Sequence, residues 1–311
     1  MTAGNCRGVT LLELLSVLLI AGLVGVIVLP ACLAFQAQGI RTIGRNDLHD
    51  RAERLLRFLA NDIRSAAFLT GPQPLQADGS PLALVHDSLP GDPLEEFPSA
   101  LVPESGGADD DDALTLVTAL SFAPPLTLWL AAEADSDELT LNRAPNQPPG
   151  SSRELRPAPE AINHLLLANQ PDCYPVAGGG QTLYLEQPLA VAAPAGTEVL
   201  GVRAFRYLLE PHAGSGRLRR DDFTSREIVD PAVDALQFQY LLADGRLVDQ
   251  VADTLAIRGV RISLLVRALR PDREHLDRSS YAIADRSYGP YDDHYRRLLV
   301  SKLVEVRNHG R

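Results

Sequence analysis

One carboxylate interrupts the apolar N-terminal run of this chain. Between Val9 and Leu29 the only charged residue is Glu13, which follows Gly8 by five positions. A carboxylate near the centre of an apolar segment costs about 2.5–3.5 kcal/mol on membrane-insertion scales, so such a group normally has a partner. The chemistry predicted for this segment is therefore the pairing of Glu13 with a cation in apolar surroundings.

The residues around this carboxylate resemble the class III signal of type IV pilins and pseudopilins. A basic residue, Gly8, a hydrophobe, one Thr and two Leu precede Glu13, and an apolar helix follows. The resemblance implies cleavage by a prepilin peptidase between Gly8 and Val9, N-methylation of Val9, and an assembly charge pair between Glu13 and an N-terminal amine. It also implies helix flexibility at Gly22 and Pro30. Val9 stands where relatives usually have Phe.

Two other interpretations of the segment remain open. Residues 29–32 end in Cys32 and have the form of a lipobox, which would make Cys32 the lipidated first residue of a periplasmic binding protein. Alternatively, residues 9–29 form a plain membrane anchor, because such a helix is about 30 Å long, the thickness of a bilayer core. The second interpretation is compatible with a pilin.

The remaining candidates for chemistry are few. The seven histidines have no metal-ligand spacing, and the chain carries no nucleophile motif and no phosphate loop, so no enzyme and no catalytic residue is predicted. A run of four acids has the ligand type that Ca²⁺ prefers, although consecutive side chains cannot all point at one ion. We interpret this run as a solvated turn, with Ca²⁺ as a weak alternative; its members are Asp109, Asp110, Asp111 and Asp112.

Composition restricts the partners and the redox chemistry. The formal net charge is -11, which argues against nucleic acid as a partner. Of the three cysteines, Cys6 and Cys32 fall in the N-terminal segment, which leaves Cys173 in the rest of the chain. No intrachain disulfide is therefore predicted, and Cys173 is expected to be free and buried.

A second helical pattern follows the apolar run. Residues 30–70 continue the helix, with apolar side chains at steps of three and four and soft points at glycines. Acid-first pairs four residues apart predict an exposed opposite face; the first of them joins Asp47 to Arg51. Gly71 and Pro72 end the helix.

The rest of the chain, residues 71–311, is predicted to be a β-rich globular head. Residues 73–107, 143–159 and 272–295 are interpreted as irregular or loop-like. Runs rich in β-forming residues predict strands at 113–120, 126–131, 138–142, 164–168, 182–186, 199–209, 235–242, 257–269 and 298–307. The predicted fold class is α+β and pilin-like: a long N-terminal helix, with a membrane half and an amphipathic half, packs on an antiparallel sheet, and the number of strands permits a second sheet.

The head also resembles one family of minor pilins. The string at 57–68 is similar to the helix end of PilW-type proteins, and further similar strings follow in the order that family uses, at 112–116, 202–207, 216–220, 233–240, 260–267 and 295–308. Residues 71–110 and 143–180 have no counterpart. Many relatives have a Gly-Cys pair where this chain has Thr70, Gly71 and Pro72, so the resemblance implies that a disulfide common in the family is absent here.

The resemblance implies a PilW-like minor pilin with a leader at 1–8 and a transmembrane, filament-core helix at 9–29. It would be held in the inner membrane of a Gram-negative bacterium with its head in the periplasm, and then enter an initiating or tip complex of a type IV pilus that serves twitching motility and adhesion. The implied partners are other minor pilins, the major pilin, prepilin peptidase, the inner-membrane assembly platform, inner-membrane lipid and a tip adhesin. The alternative within the same class is a J-type minor pseudopilin of type II secretion.

Overall fold

The chain divides into an N-terminal unit, residues 1–50, and a larger unit, residues 51–311. A computed structural model describes residues 11–85, 93–106, 111–142, 164–168, 170–179, 182–212, 214–223 and 225–308. The helix α1, Leu11–Ser65, runs through the first unit and into the second. Among the described residues, no helical stretch has both the length and the apolar character needed to cross a membrane.

The end of α1 supplies one wall of the core of the larger unit. Its side chains at steps of three and four are buried, as the apolar stripe predicts: Ala52, Leu55, Leu56, Leu59, Ala60 and Ile63. Beyond Ser65 the chain turns away, with positive φ angles at Ala67 and Leu69. The Ala67 N–H then donates to the Val117 carbonyl oxygen at 2.9 Å, which ties the helix end to a strand.

Strands make up most of the described chain. They are β1 Leu75–Gln76, β2 Leu82–Val85, β3 Leu94–Phe97, β4 Leu101–Glu104, β5 Ala113–Leu128, β6 Glu138–Asn142, β7 His164–Leu167, β8 Asp172–Gly179, β9 Thr182–Leu185, β10 Glu198–His212, β11 Ser215–Asp221, β12 Arg226–Leu242, β13 Leu247–Val248, β14 Ile257–Arg267, β15 Tyr281–Ile283, β16 Arg286–Tyr288 and β17 Arg297–Glu305. A 3-10 helix, Thr254–Ala256, precedes β14.

Two arrangements share the long strands β5 and β10. The first, here called the sheet region, is the antiparallel series β5-β10-β11-β12-β14-β17 together with the helical residues 51–65. The second, here called the closed ring, is the cycle of pairings β5-β6-β9-β8-β7-β10, which returns to β5. The short β2–β3 and β15–β16 hairpins form separate two-stranded sheets.

The interior of the closed ring is apolar. Alternate residues of its strands point inward, so Leu139 and Leu183, which are opposite each other on β6 and β9, are both fully buried. Tyr174 from β8 lies in the same core. The hydroxyl of Tyr174 accepts from the Ala190 N–H and donates to the Gln170 side chain.

The predicted α+β fold class is wrong. The described chain is mostly β-sheet, and of the helix only residues 51–65 belong to the larger unit and pack on its sheet, so the fold class is mainly β and not α+β. The predicted membrane half of the helix is contradicted as well, since no described helix is a candidate membrane span. The helical periodicity of 10–69 does correspond to α1, Leu11–Ser65. The error was to give this single helix equal weight in the fold class with the much longer strand-forming sequence that follows.

The strand predictions were accurate for several of the longer strands and missed the shortest ones. The runs predicted at 138–142, 164–168, 182–186 and 257–269 correspond to β6, β7, β9 and β14 within two residues. The predicted irregular segment 73–107 contains β1 to β4, and the predicted loop 272–295 contains the β15–β16 hairpin. These strands are two to four residues long, which is too short for an alternating pattern to be legible.

Candidate functional site

The predicted processing site lies at the extreme N-terminus. Gly8 and Val9 fall outside the described residues. Glu13 lies in the first turns of α1 and Pro30 lies further along it, but their side chains are not among those described. Gly22 is also helical, with open space where a Cβ would be. The structure therefore leaves the predicted assembly pair untested.

The acidic run is partly described, and its second half is not a solvated turn. Asp109 and Asp110 lie outside the described residues. Asp111 accepts hydrogen bonds from the Leu236 N–H and the Tyr288 hydroxyl, both at 2.9 Å. Asp112 accepts from the Phe238 N–H, also at 2.9 Å. The two carboxylates thus hold the start of β5 against the middle of β12.

Burial sets the electrostatics of these two carboxylates. Desolvation raises the pKa of Asp111, against the opposing effects of the Leu236 N–H, the Tyr288 hydroxyl and Arg286. Desolvation likewise raises the pKa of Asp112, which is only 6% exposed. The predicted solvated turn is therefore wrong for this pair. Among the described residues, no group of three or more His, Cys, Asp or Glu side chains is placed to hold a metal ion.

The helix is held on the sheet region by a buried ion pair. Arg51 donates through Nε and Nη2 to the two carboxylate oxygens of Asp230 on β12, each at 2.5 Å, and through Nη2 to the Ala232 carbonyl oxygen at 3.0 Å. The side chains are 9% and 6% exposed. The sequence placed Arg51 on the exposed face with Asp47, but here it turns toward the sheet.

A second polar contact joins the helix to β10 and β11. The Tyr207 hydroxyl donates to Asp62, and Arg220 Nη2 lies 3.1 Å from the same carboxylate. The Arg220 guanidinium also stacks over the Phe205 ring at 3.8 Å and lies 5.5 Å from the Phe58 ring centre. Burial raises the pKa of Tyr207, and the neighbouring Asp62 adds to that shift.

Arg297, at the start of β17, organises the third cluster. It donates to Asp234 at 2.6 Å, to Asp277 at 3.0 Å and to both oxygens of Asp293 at 2.7 Å, and its side chain is fully buried. Its guanidinium lies 3.5 Å from the centre of the Tyr291 ring. Because Asp277 and Asp293 come from the segment after β14, this arginine fixes that segment to the sheet.

Two of these arginines lie in adjacent basic pairs of the sequence, Arg219-Arg220 and Arg296-Arg297. Arg220 and Arg297 both point into polar clusters inside the molecule. A usable signal was present for the third cluster: the largely polar insertion 272–295 contains four tyrosines, Tyr281, Tyr288, Tyr291 and Tyr295. Such aromatic residues are expected to be packed rather than solvated.

Two further side chains that could be reactive, Cys173 and His164, are each buried. Cys173 is a buried free thiol, as predicted, and desolvation, with a smaller effect from Asp172, raises its pKa to about 12. His164 is also buried, and desolvation lowers its pKa to about 4. A thiol with a raised pKa is a poor nucleophile at neutral pH, so Cys173 behaves as a small apolar core residue.

Comparison with known proteins connects one segment of the chain to a family. Residues 220–308 match the family model PilW, described as Type IV Pilus-assembly protein W. The match supports a PilW-family type IV pilus protein and its involvement in type IV pilus assembly. Neither the search of the curated proteins nor that of the solved structures returned a match. Members of the PilW family are pilus assembly components, and the family is not a known enzyme family. The match suggests interaction with other components of type IV pilus assembly.

Proposed function

We propose that the chain is a minor pilin of a type IV pilus. Prepilin peptidase cuts after Gly8, Val9 becomes the N-methylated first residue, and the mature chain enters an initiating or tip complex that primes pilus assembly. Its partners are other minor pilins and the major pilin, with the inner-membrane assembly platform and a tip adhesin as further candidates. The protein resides at the inner membrane before assembly and in the pilus afterwards.

The observation that carries this proposal is the family match over 220–308. The matched segment contains β12, β14 and β17, the strands that form one half of the sheet region. It also supplies Asp230 and Arg297, the partners that fix the helix and the segment after β14. The N-terminal residues support the proposal independently, since the matched segment does not include them.

Glu13 provides the assembly chemistry in this proposal. Cleavage after Gly8 creates a cationic amine at Val9, which needs a counter-charge when it enters an apolar filament core. An unpaired charge in such surroundings costs several kcal/mol, so a carboxylate one turn away favours a docked subunit over an undocked one. The pair forms between the amine of one subunit and Glu13 of the same or a neighbouring subunit.

The N-terminus of the protein extracted from its native host tests the processing step. We expect an intact mass and an N-terminal peptide that begin at methylated Val9, and we expect Gly8→Ala to leave the leader attached. A chain that begins at lipidated Cys32, with Gly8→Ala having no effect on its mass, would contradict the proposal.

Glu13→Val separates the role of the charge from that of processing. The variant keeps the cleavage site, so its mass should match that of the mature wild-type chain. Its level in sheared pili should fall at least tenfold, measured by quantitative immunoblot against the major pilin. Normal incorporation would rule out the charge pair.

Deletion of the gene distinguishes the pilus from the secretion machine. Loss of twitching with intact protein secretion supports the minor pilin assignment. Intact twitching with lost secretion would instead identify a type II secretion pseudopilin.

A further inference from the structure

The outer wall of the closed ring carries two exposed aromatic side chains. Trp129 follows β5, and its N–H donates to the Thr140 carbonyl oxygen on β6 at 2.8 Å. Glu138 lies two residues before Thr140 on β6 and is directly opposite Tyr184 on β9. Because side chains two apart on a strand share a face, Glu138 and Tyr184 point outward from β6 and β9, and Trp129 points outward beside them from the end of β5. We call these three residues the Trp129 face.

Exposure on this face is unusual for residues of this size. Trp129, the only tryptophan of the chain, is 59% exposed, and Tyr184 is 48% exposed. Their inward neighbours, Leu139 and Leu183, are fully buried, so the outward position follows from strand alternation and not from loose packing. Directly opposite residues on paired strands lie about 5 Å apart, and diagonal ones about 7–8 Å apart. Glu138 therefore stands between the two rings.

The described segments that carry this face are acidic in sequence. Residues 113–142 and 164–199, which supply most of the ring, contain no lysine or arginine. They contain seven acids, and each exposed one among them adds negative potential near the face: Glu133, Asp135, Asp137, Glu138, Asp172, Glu186 and Glu198. Such a surface attracts cations and raises the rate at which they encounter it.

From this juxtaposition we propose that the Trp129 face binds an arginine side chain of a partner protein. A guanidinium is planar, weakly hydrated and permanently charged, so it stacks on an aromatic ring while donating hydrogen bonds to a carboxylate. Trp129 and Tyr184 provide the rings, and Glu138 provides the carboxylate. Within the protein, Arg220 already makes a similar arrangement, with Phe205 beneath it and Asp62 beside it. This proposal does not depend on whether the chain is assembled into a pilus.

The single tryptophan makes the proposal measurable in the full chain. We would titrate the full chain, solubilised in a neutral detergent, with a blocked pentapeptide that carries one arginine between serines and glycines, and follow tryptophan fluorescence. We expect a saturable change with a dissociation constant in the millimolar range, typical of one exposed cation–π contact and one ion pair. A matched peptide with citrulline, which keeps the shape of arginine without its charge, should give no saturation.

Single substitutions then test whether the arginine peptide binds at the Trp129 face. Glu138→Gln should weaken the arginine peptide about threefold to thirtyfold, whereas Glu305→Gln, which removes an exposed acid from β17, should change affinity less than twofold. Tyr184→Ala should weaken binding and Tyr184→Phe should largely restore it. Equal losses for Glu138→Gln and Glu305→Gln, or equal binding of the citrulline peptide, would overturn the proposal.

Discussion

The sheet region and the closed ring share two strands but are stabilised by different interactions. In the sheet region, buried arginines join elements that are far apart in sequence, as Arg51 joins the helix to Asp230 and Arg297 joins β17 to Asp234, Asp277 and Asp293. The ring has no arginine or lysine in residues 113–142 and 164–199, and its interior is a cluster of leucines with Tyr174. One half is fixed by directional ion pairs, the other by shape and apolar burial.

The difference has consequences for specificity. An arginine that donates to three carboxylates tolerates one geometry, so it fixes the position of a loop or a helix end. An apolar core stabilises the fold without fixing such details, because many packings of similar volume have similar free energy. The family match over 220–308 falls on the half that contains the ion pairs. The ring, outside the matched segment, carries the exposed Trp129 face.

Removing Arg297 should have the largest effect on stability. Arg297→Met removes the cation that Asp234 and Asp277 share and leaves Asp234 only the longer ion pair with Arg267 at 3.8 Å. Breaking a buried pair in this way costs about 3–5 kcal/mol. Urea unfolding followed by far-ultraviolet circular dichroism would measure the loss. Arg246→Met is the matched control, because the side chains of its ion pair with Asp244 are 71% and 49% exposed and solvent screens the attraction between them. Equal losses for the two variants would mean that the cluster adds no stability.

Truncating the ring core should have the second largest effect. Leu183→Ala removes a fully buried side chain opposite Leu139 and leaves a cavity, which costs about 2–5 kcal/mol. The loss should be nearly independent of salt and pH, unlike that of Arg297→Met, since no charge is involved. The neighbouring substitution Tyr184→Ala, on the exposed side of the same strand, should change the free energy of unfolding by less than about 0.5 kcal/mol. A large loss for Tyr184→Ala would contradict the assigned strand faces.

Local sequence patterns correctly predicted one helix face and several individual strands. The apolar stripe at 52–63 is the buried face of the helix, and the alternation at 235–242 and 257–269 produced β12 and β14. The closed ring was not predicted, because closure depends on pairings such as β10 with β7 and β6 with β9 that connect distant segments.

The polar clusters were missed for the same reason. Arg51 lies next to the apolar stripe, four residues after Asp47, and nothing within the helix indicates a partner 179 positions away. Asp111 and Asp112 have the composition of a surface turn, but the backbone N–H groups that they accept from belong to β12, more than a hundred residues later. Which carboxylates are buried is decided by tertiary pairing.

The smallest effect concerns pH. It tests whether ionisation of Asp111 and ionisation of Asp277 change the free energy of unfolding in opposite directions. The pKa of Asp111 is raised, mainly by desolvation, so its protonated form favours folding: this contribution is present at low pH and lost as pH rises through the raised pKa. Asp111→Asn keeps an acceptor for Leu236 and Tyr288 while removing the charge. At pH 7 the variant should be as stable as the wild type or more stable by up to about 1 kcal/mol, and the difference should vanish below pH 4.

Asp277 supplies the opposite case. Burial pushes its pKa upward, but the Ser279 N–H, Arg297 and the Tyr281 hydroxyl outweigh that effect and lower the pKa below 3.8. Its ionised form therefore stabilises the fold above the ordinary pKa of aspartate, and this contribution is lost as pH falls through the lowered value. Asp277→Asn should destabilise the protein at pH 7, with a loss that shrinks under acid. Urea midpoints between pH 3 and pH 7 would compare the two variants. Parallel pH profiles would show that the partner set around each carboxylate does not govern its contribution. Divergent profiles would show that the partners of Asp277, the Ser279 N–H and Arg297 among them, outweigh its burial, whereas those of Asp111 do not.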